Sequence, residues 1–329
     1  MKLLIPGEIT VGNVVPLIRR IGRQVPGTEI ELDFSQVTFA RPAGTLYLAR
    51  ELRALNESST YDLIIKKPTG LLRAAHTYLD HINFWRYLNN DDFGSATPSS
   101  RYLPLTKISF EHTDLSDYLA NTKIHKKIET ESYNLANVIS GNDETADGVN
   151  RTLSYGLCEI IRNALEHAEV NECIVSGQKW GNGFAEIVIA DMGIGVPESL
   201  RKAIPEIGSS DNALGKALQP GVSSKLAADD DDNPWANDGF GLFMLSKFGS
   251  TFGHFMVISG GRAVVVNEEG QEFSSAPIAK GTLVALRIRT DSITSEKYRA
   301  VKAKIVAEGR SIIEESGSPI REVSQSLNY

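Results

Sequence analysis

Glu159, Asn163 and His167 recur at steps of four in Glu159-Ile-Ile-Arg-Asn-Ala-Leu-Glu-His167, so a helix through them shows all three on one face. A neutral amide oxygen such as that of Asn163 can ligate a divalent cation, and a carboxylate one turn earlier can take a proton from a water or hydroxyl. Asp191-Met-Gly-Ile-Gly195 follows a strand-like run with five apolar residues in six. A carboxylate at a strand end next to two glycines lets backbone come close to a ligand, because no Cβ stands in the way. Asp238-Gly-Phe-Gly241 precedes Leu-Phe-Met-Leu245, so paired glycines open a helix whose first N–H groups suit phosphate oxygens. Lys280-Gly-Thr282 starts a late apolar strand. Each piece alone is ordinary: a Glu and an Asn at i, i+4 are a common exposed pair, and Gly-x-Gly is a common turn.

The elements needed to position these residues are legible. A helix is expected over about 144–168, with Leu157, Ile160, Ile161, Ala164 and Leu165 supplying its apolar cover. Segments 173–176 and 185–190 flank Trp180-Gly-Asn-Gly183, whose Asn182-Gly183 pair suits the positive φ of a tight hairpin. Further strands are expected at 255–258, 263–266 and 282–288, a short helix at 239–248, a long loop at 197–238 and a polar helix at 292–316. The first 90 residues alternate differently. Strands at 3–5, 30–34 and 63–65 are separated by helices with Val14, Leu17, Ile18 and Ile21 on one face, and Leu46, Ala49, Leu52 and Leu55 on another. A third helix is expected over 71–88. Gly94-Ser-Ala-Thr-Pro-Ser-Ser100 has a linker's composition and marks a boundary. The resulting division is 1–95, a connecting stretch at 96–139, a site-bearing domain at 140–291, and a helix and tail at 292–329.

Glu159–His167, Asp191–Gly195, Asp238–Gly241 and Gly281-Thr282, in this order, resemble the N box and glycine boxes of the GHKL ATPase/kinase superfamily, the Bergerat fold. The resemblance covers about 140–290. Ala217-Leu-Gln-Pro-Gly-Val-Ser-Ser-Lys225 is similar to the start of that family's lid over ATP. The resemblance implies ATP and Mg²⁺ as cofactors. Asp191 would accept from the adenine amino group, Asn163 would ligate Mg²⁺, and Glu159 would be the general base. Gly193, Gly195, Gly239 and Gly241 would let backbone enclose the nucleotide, Thr282 would support the adenine side, and Ser223, Ser224 and Lys225 would reach the γ-phosphate as the lid closes. His167 is similar to a histidine of the anti-sigma-factor serine kinases, with an ordinary surface histidine as the alternative. The four aspartates at 229–232 could hold a cation or be a solvated part of the lid.

Residues 29–44 resemble the core of STAS domains, the anti-sigma-factor antagonist fold, over roughly 1–90. Where antagonists carry Asp-Ser-Ser-Gly, this chain has Arg41-Pro-Ala-Gly44. No hydroxyl stands there to be phosphorylated, so a docking role is expected instead. The expected architecture is therefore α/β: a small STAS-like domain, then a GHKL sandwich with a mainly antiparallel sheet and helices on one face.

Composition narrows the function further. The chain has 329 residues and net charge −7, with 11 basic and 10 acidic side chains in residues 1–95 and 23 against 31 in the remainder. No basic excess favours nucleic acid or an anionic membrane. The apolar stretch 3–5 stops at Pro6, too short for a signal-peptide core, and no run approaches the ~20 apolar residues of a membrane span. Cys158 and Cys173 are expected as buried free thiols in a reducing, cytoplasmic setting. The leading expectation is an ATP-driven switch with ATPase activity that acts through protein partners docked on the STAS-like domain, a homodimer among them. A serine/threonine protein kinase and a non-hydrolysing binding module are the alternatives. A sensor histidine kinase is disfavoured, since neither His112 nor His125 lies in a phosphoacceptor context.

Overall fold

A computed structural model describes residues 1–68, 74–89, 99, 101–109, 118–140, 147–166, 170–222 and 240–316. It is a mixed α/β structure built on a seven-stranded antiparallel sheet. The chain begins with β1 (Lys2–Leu4), β2 (Glu8–Ile9), α1 (Val11–Ile21), β3 (Glu29–Asp33), β4 (Phe39–Ala40), α2 (Pro42–Glu57) and β5 (Asp62–Lys66). Strands β1, β3 and β5 pair in parallel, as short βα units require. The Thr10 hydroxyl caps α1 by accepting from the Asn13 N–H at 3.3 Å, and Arg19 and Arg20 sit in its last turn. The single helix expected over 71–88 is interrupted: α3 (Ala74–His81) and α4 (Phe84–Leu88) are separated at Asn83, whose φ of 66° breaks the helical path.

The second part comprises β6 (Tyr102–Ser109), α5 (Tyr118–Ser140), α6 (Asp147–Glu166), β7 (Glu172–Lys179), β8 (Phe184–Asp191), α7 (Val196–Ala203), α8 (Ser210–Ala217), α9 (Gly241–Phe252), β9 (Gly253–Ser259), β10 (Arg262–Asn267), β11 (Gly270–Ser275), β12 (Thr282–Arg289) and α10 (Ser295–Ser316). The sheet order is β11-β10-β9-β12-β8-β7-β6. The expected connecting stretch at 96–139 in fact contributes structure. Strand β6 is one edge of the sheet, and α5 packs on α6. Pro104 masks β6 in the sequence: it lacks an N–H, and the pairing with β7 shifts register between Leu103 and Thr106. Strand β11 has no sequence signature, because its Gln271, Glu272, Ser274 and Ser275 give no apolar alternation. The expected loop at 197–238 contains α7 and α8 in its first part; residues 223–238 lie outside the described residues.

Alternation along the strands sends apolar side chains to both faces of the sheet. Val175, Ile187, Ile189, Val257, Val284 and Leu286 share a core with Leu135, Leu153, Leu157, Leu245 and Phe248 from α5, α6 and α9. Ile174, Val188, Ala190, Ile258, Leu283 and Ala285 belong instead to the cluster that holds Leu3, Ile30, Leu46 and Tyr47. The helices cover one face and the N-terminal unit covers the other. Cys158 and Cys173 are free thiols, the first half-buried and the second buried. Burial pushes the Cys158 thiol up to about 12 and raises Cys173 as well, which leaves both unreactive.

Candidate functional site

Strands β8 and β12 are paired, so Asp191 and Thr282 come to the same end of the sheet on its helix-covered face. The Asp191 carboxylate is 6% exposed, and its Oδ1 accepts from the Gly193 N–H at 2.9 Å and the Thr282 N–H at 3.3 Å. Burial pushes its pKa up, while those N–H donors and the positive charge of Arg50 pull it back. A carboxylate offers about four acceptor positions, so two N–H groups on one oxygen leave capacity for a ligand donor.

Gly281 makes this arrangement possible. Its φ is 74°, and a Cβ there would lie 2.2 Å from the Asp191 carbonyl oxygen and 2.6 Å from Oδ1. Gly195, with φ 80°, opens α7 from the other side. Ser259 joins the two segments. It is fully buried, its hydroxyl donates to the Gly281 carbonyl at 2.9 Å, and its Oγ accepts from the Val196 N–H at 3.0 Å and lies 3.1 Å from Thr282 Oγ1. Ser259 carries no motif in the sequence. Its only signal is a polar residue closing an apolar strand.

Asp191, Gly195 and Thr282 edge a cleft of about 690 Å³, its open mouth included, between α6, α7 and the sheet. Ile189, Val284, Ala164 and Leu200 give it apolar walls, Asp191 and Thr282 are its buried polar residues, and Asn163 lines it half-buried from α6. Among the expected residues, Asn163, Asp191, Gly195 and Thr282 therefore meet in one cleft, with Gly193 one hydrogen bond behind.

Glu159 stands apart from them. It is 4% exposed, its Oε1 accepts from Arg162 Nη1 at 3.1 Å, and it does not line the cleft. Gly241 explains where it sits: a Cβ at Gly241 would lie 2.4 Å from the Glu159 Cβ, so α9 crosses α6 at closest approach there. Gly241 thus acts in helix packing. His167, Ser223, Ser224, Lys225, Asp238, Gly239 and the aspartates at 229–232 lie outside the described residues. Among the described residues no cluster of three or more His, Cys, Asp or Glu could hold a metal. No helix of the described residues is long and apolar enough to cross a membrane.

Comparison of the chain with protein-family models, curated proteins and solved structures yields no match. The functional reading rests on the residues and the cleft.

Proposed function

We propose that the chain is an ATP- and Mg²⁺-binding regulatory protein, with a GHKL-type nucleotide site on the helix-covered face of the large sheet and a STAS-like N-terminal unit on the other. The observation that carries the reading is the Asp191 carboxylate, fixed by two backbone N–H groups in an apolar cleft that Asn163 also lines. Apolar walls take the faces of a flat aromatic base, and a buried acceptor selects a base that presents an amino group. Asn163 would hold Mg²⁺ through its amide oxygen. Bound Mg²⁺–ATP supplies a terminal phosphoryl group whose charge the metal offsets. At the start of α2 the Ala43 N–H donates to Glu186 Oε1 of β8 at 2.9 Å, so the N-terminal unit packs on the chain's own sheet, and partner proteins would dock on the rest of its surface.

Hydrolysis would use Glu159 to take a proton from water. The Glu159–Arg162 ion pair favours a second reading, a switch that binds ATP without turning it over, because the carboxylate is engaged away from the cleft. Incubation of the full chain with γ-labelled ATP and Mg²⁺ separates the activities. Free labelled phosphate that disappears in Glu159→Ala indicates an ATPase. Label on a serine or threonine of a protein indicates the alternative, a serine/threonine kinase. Saturable binding with neither product indicates the switch. Asn163→Ala is expected to lose the Mg²⁺-dependent part of ATP affinity; wild-type affinity in that variant contradicts the metal-ligand role.

A further inference from the structure

Arg50 and Glu51 lie in the middle of α2, in the N-terminal unit, and are 1% and 3% exposed. A buried arginine costs several kcal/mol unless its donors are used; here both Nη atoms are hydrogen-bonded, and Nε lies 3.6 Å from Glu51 Oε1 as an ion pair. Arg50 Nη1 donates to the Thr282 carbonyl at 3.2 Å, while Nη2 donates to the Lys280 carbonyl and reaches Met192 Sδ at 3.3 Å. Glu51 Oε2 accepts from the Ala279 N–H at 2.8 Å, and the Tyr47 hydroxyl donates to the Pro277 carbonyl. One helix face therefore holds 277, 279, 280 and 282, more than 200 residues away in sequence. Those residues flank Gly281, whose neighbour Thr282 donates its N–H to Asp191. Met192 follows Asp191 directly. The pair thus grips the segments on both sides of the carboxylate.

We infer that Arg50 and Glu51 are positioning residues for the base-recognition carboxylate, so that nucleotide affinity and base selectivity depend on how the N-terminal unit is docked. The inference rests on the nucleotide reading of the cleft. The guanidinium fork spans two carbonyls that no other side chain of similar shape can bridge, and it brings positive charge next to Asp191. Movement of α2 by a partner protein or by mutation shifts the 279–282 loop and moves the acceptor relative to the base. Coupling is reciprocal, so nucleotide in the cleft tightens docking of α2.

Calorimetric titration of ATP and GTP into full-length wild type, Arg50→Lys and Glu186→Gln tests this. Glu186 contacts α2 on the same interface through the Ala43 N–H and pairs across the sheet with Arg287, five residues along β12 from Thr282. For Arg50→Lys the expected result is ATP affinity about tenfold lower with GTP affinity unchanged, the scale of losing a charge-assisted hydrogen bond. Glu186→Gln keeps an oxygen to accept from the Ala43 N–H, so α2 stays docked, and it is expected to retain wild-type affinity for both. A purely structural role would lower melting temperature and leave the ATP/GTP ratio alone. ATP affinity within twofold of wild type in folded Arg50→Lys overturns the inference, as does an equal loss in Glu186→Gln. A wild type that binds no adenine nucleotide overturns the nucleotide reading itself, a pattern distinct from either. If Arg50→Lys does not fold, amide exchange in the wild type decides. ADP is expected to slow exchange across residues 42–57 as well as 189–195, and protection confined to 189–195 contradicts the coupling.

Discussion

Asp191, Glu51 and Glu186 are three buried carboxyls of different origin. Asp191 ends a strand beside glycines, a pattern visible in sequence, and its N–H donors come from those same loops. Glu51 and Glu186 were not legible as buried groups. Glu51 sits in a helix beside Arg50, where nothing in the local sequence marks it as buried; its partner N–H at Ala279 is set by tertiary packing alone. Burial pushes Glu51 up to about 7, with Arg50 and the Ala279 N–H pulling the other way. The folded state then binds the Glu51 proton more tightly than the unfolded chain does. Its contribution to stability is complete below the ordinary glutamate range and is lost as pH rises from about 4.5 to about 7, on the order of 3 kcal/mol in all. Glu51→Gln carries no such proton. Its stability advantage over wild type is expected to grow between pH 5 and 7.5 in urea unfolding, and a difference flat across that range contradicts the burial argument.

Elements with a periodic apolar pattern were readable, and those whose pattern is broken by polar or imino residues were not. Helices α1, α2 and α6 and strands β7, β8, β9, β10 and β12 announce themselves through spacing, with boundaries shifted by a few residues. Strand β6 is masked by Pro104, β11 by its polarity at the sheet edge, and the α3–α4 break by a left-handed asparagine. The glycines of the Gly-rich segments were legible as glycines, yet their tasks differ. Gly241 admits the Glu159 side chain, whereas Gly281 lets its strand approach Asp191 with φ positive. Gly281→Ala combines a left-handed strain of about 1–2 kcal/mol with overpacking of about 1–3 kcal/mol. Denaturant unfolding is expected to show a loss of at least about 2 kcal/mol, with Asp191 displaced. Wild-type stability would mean that the loop relaxes without needing glycine.

At the scale of the whole molecule, the sequence marks a boundary near residue 95, but the two units share an interior. Ile174, Val188, Ile258 and Leu283 face α1, α2 and the small parallel sheet rather than solvent. Four such side chains, at about 2 kcal/mol each, approach the total stability of an ordinary domain. A chain beginning at residue 99 is expected to aggregate or to bind a hydrophobic dye strongly; a soluble, dye-silent fragment contradicts the shared core. The N-terminal unit is thus a structural lid on the back of the sheet and, through Arg50, a neighbour of the site on its front. The most direct test of the account is calorimetric titration of ATP with Mg²⁺ into the folded full-length chain, alongside Asp191→Asn, which places an amide where an acceptor for the base is required. The account predicts a saturable one-to-one isotherm for wild type and an affinity lower by tenfold or more for the variant, in line with an unmatched polar pair in a buried site. No heat of binding in wild type, or equal affinity in both proteins, would contradict it.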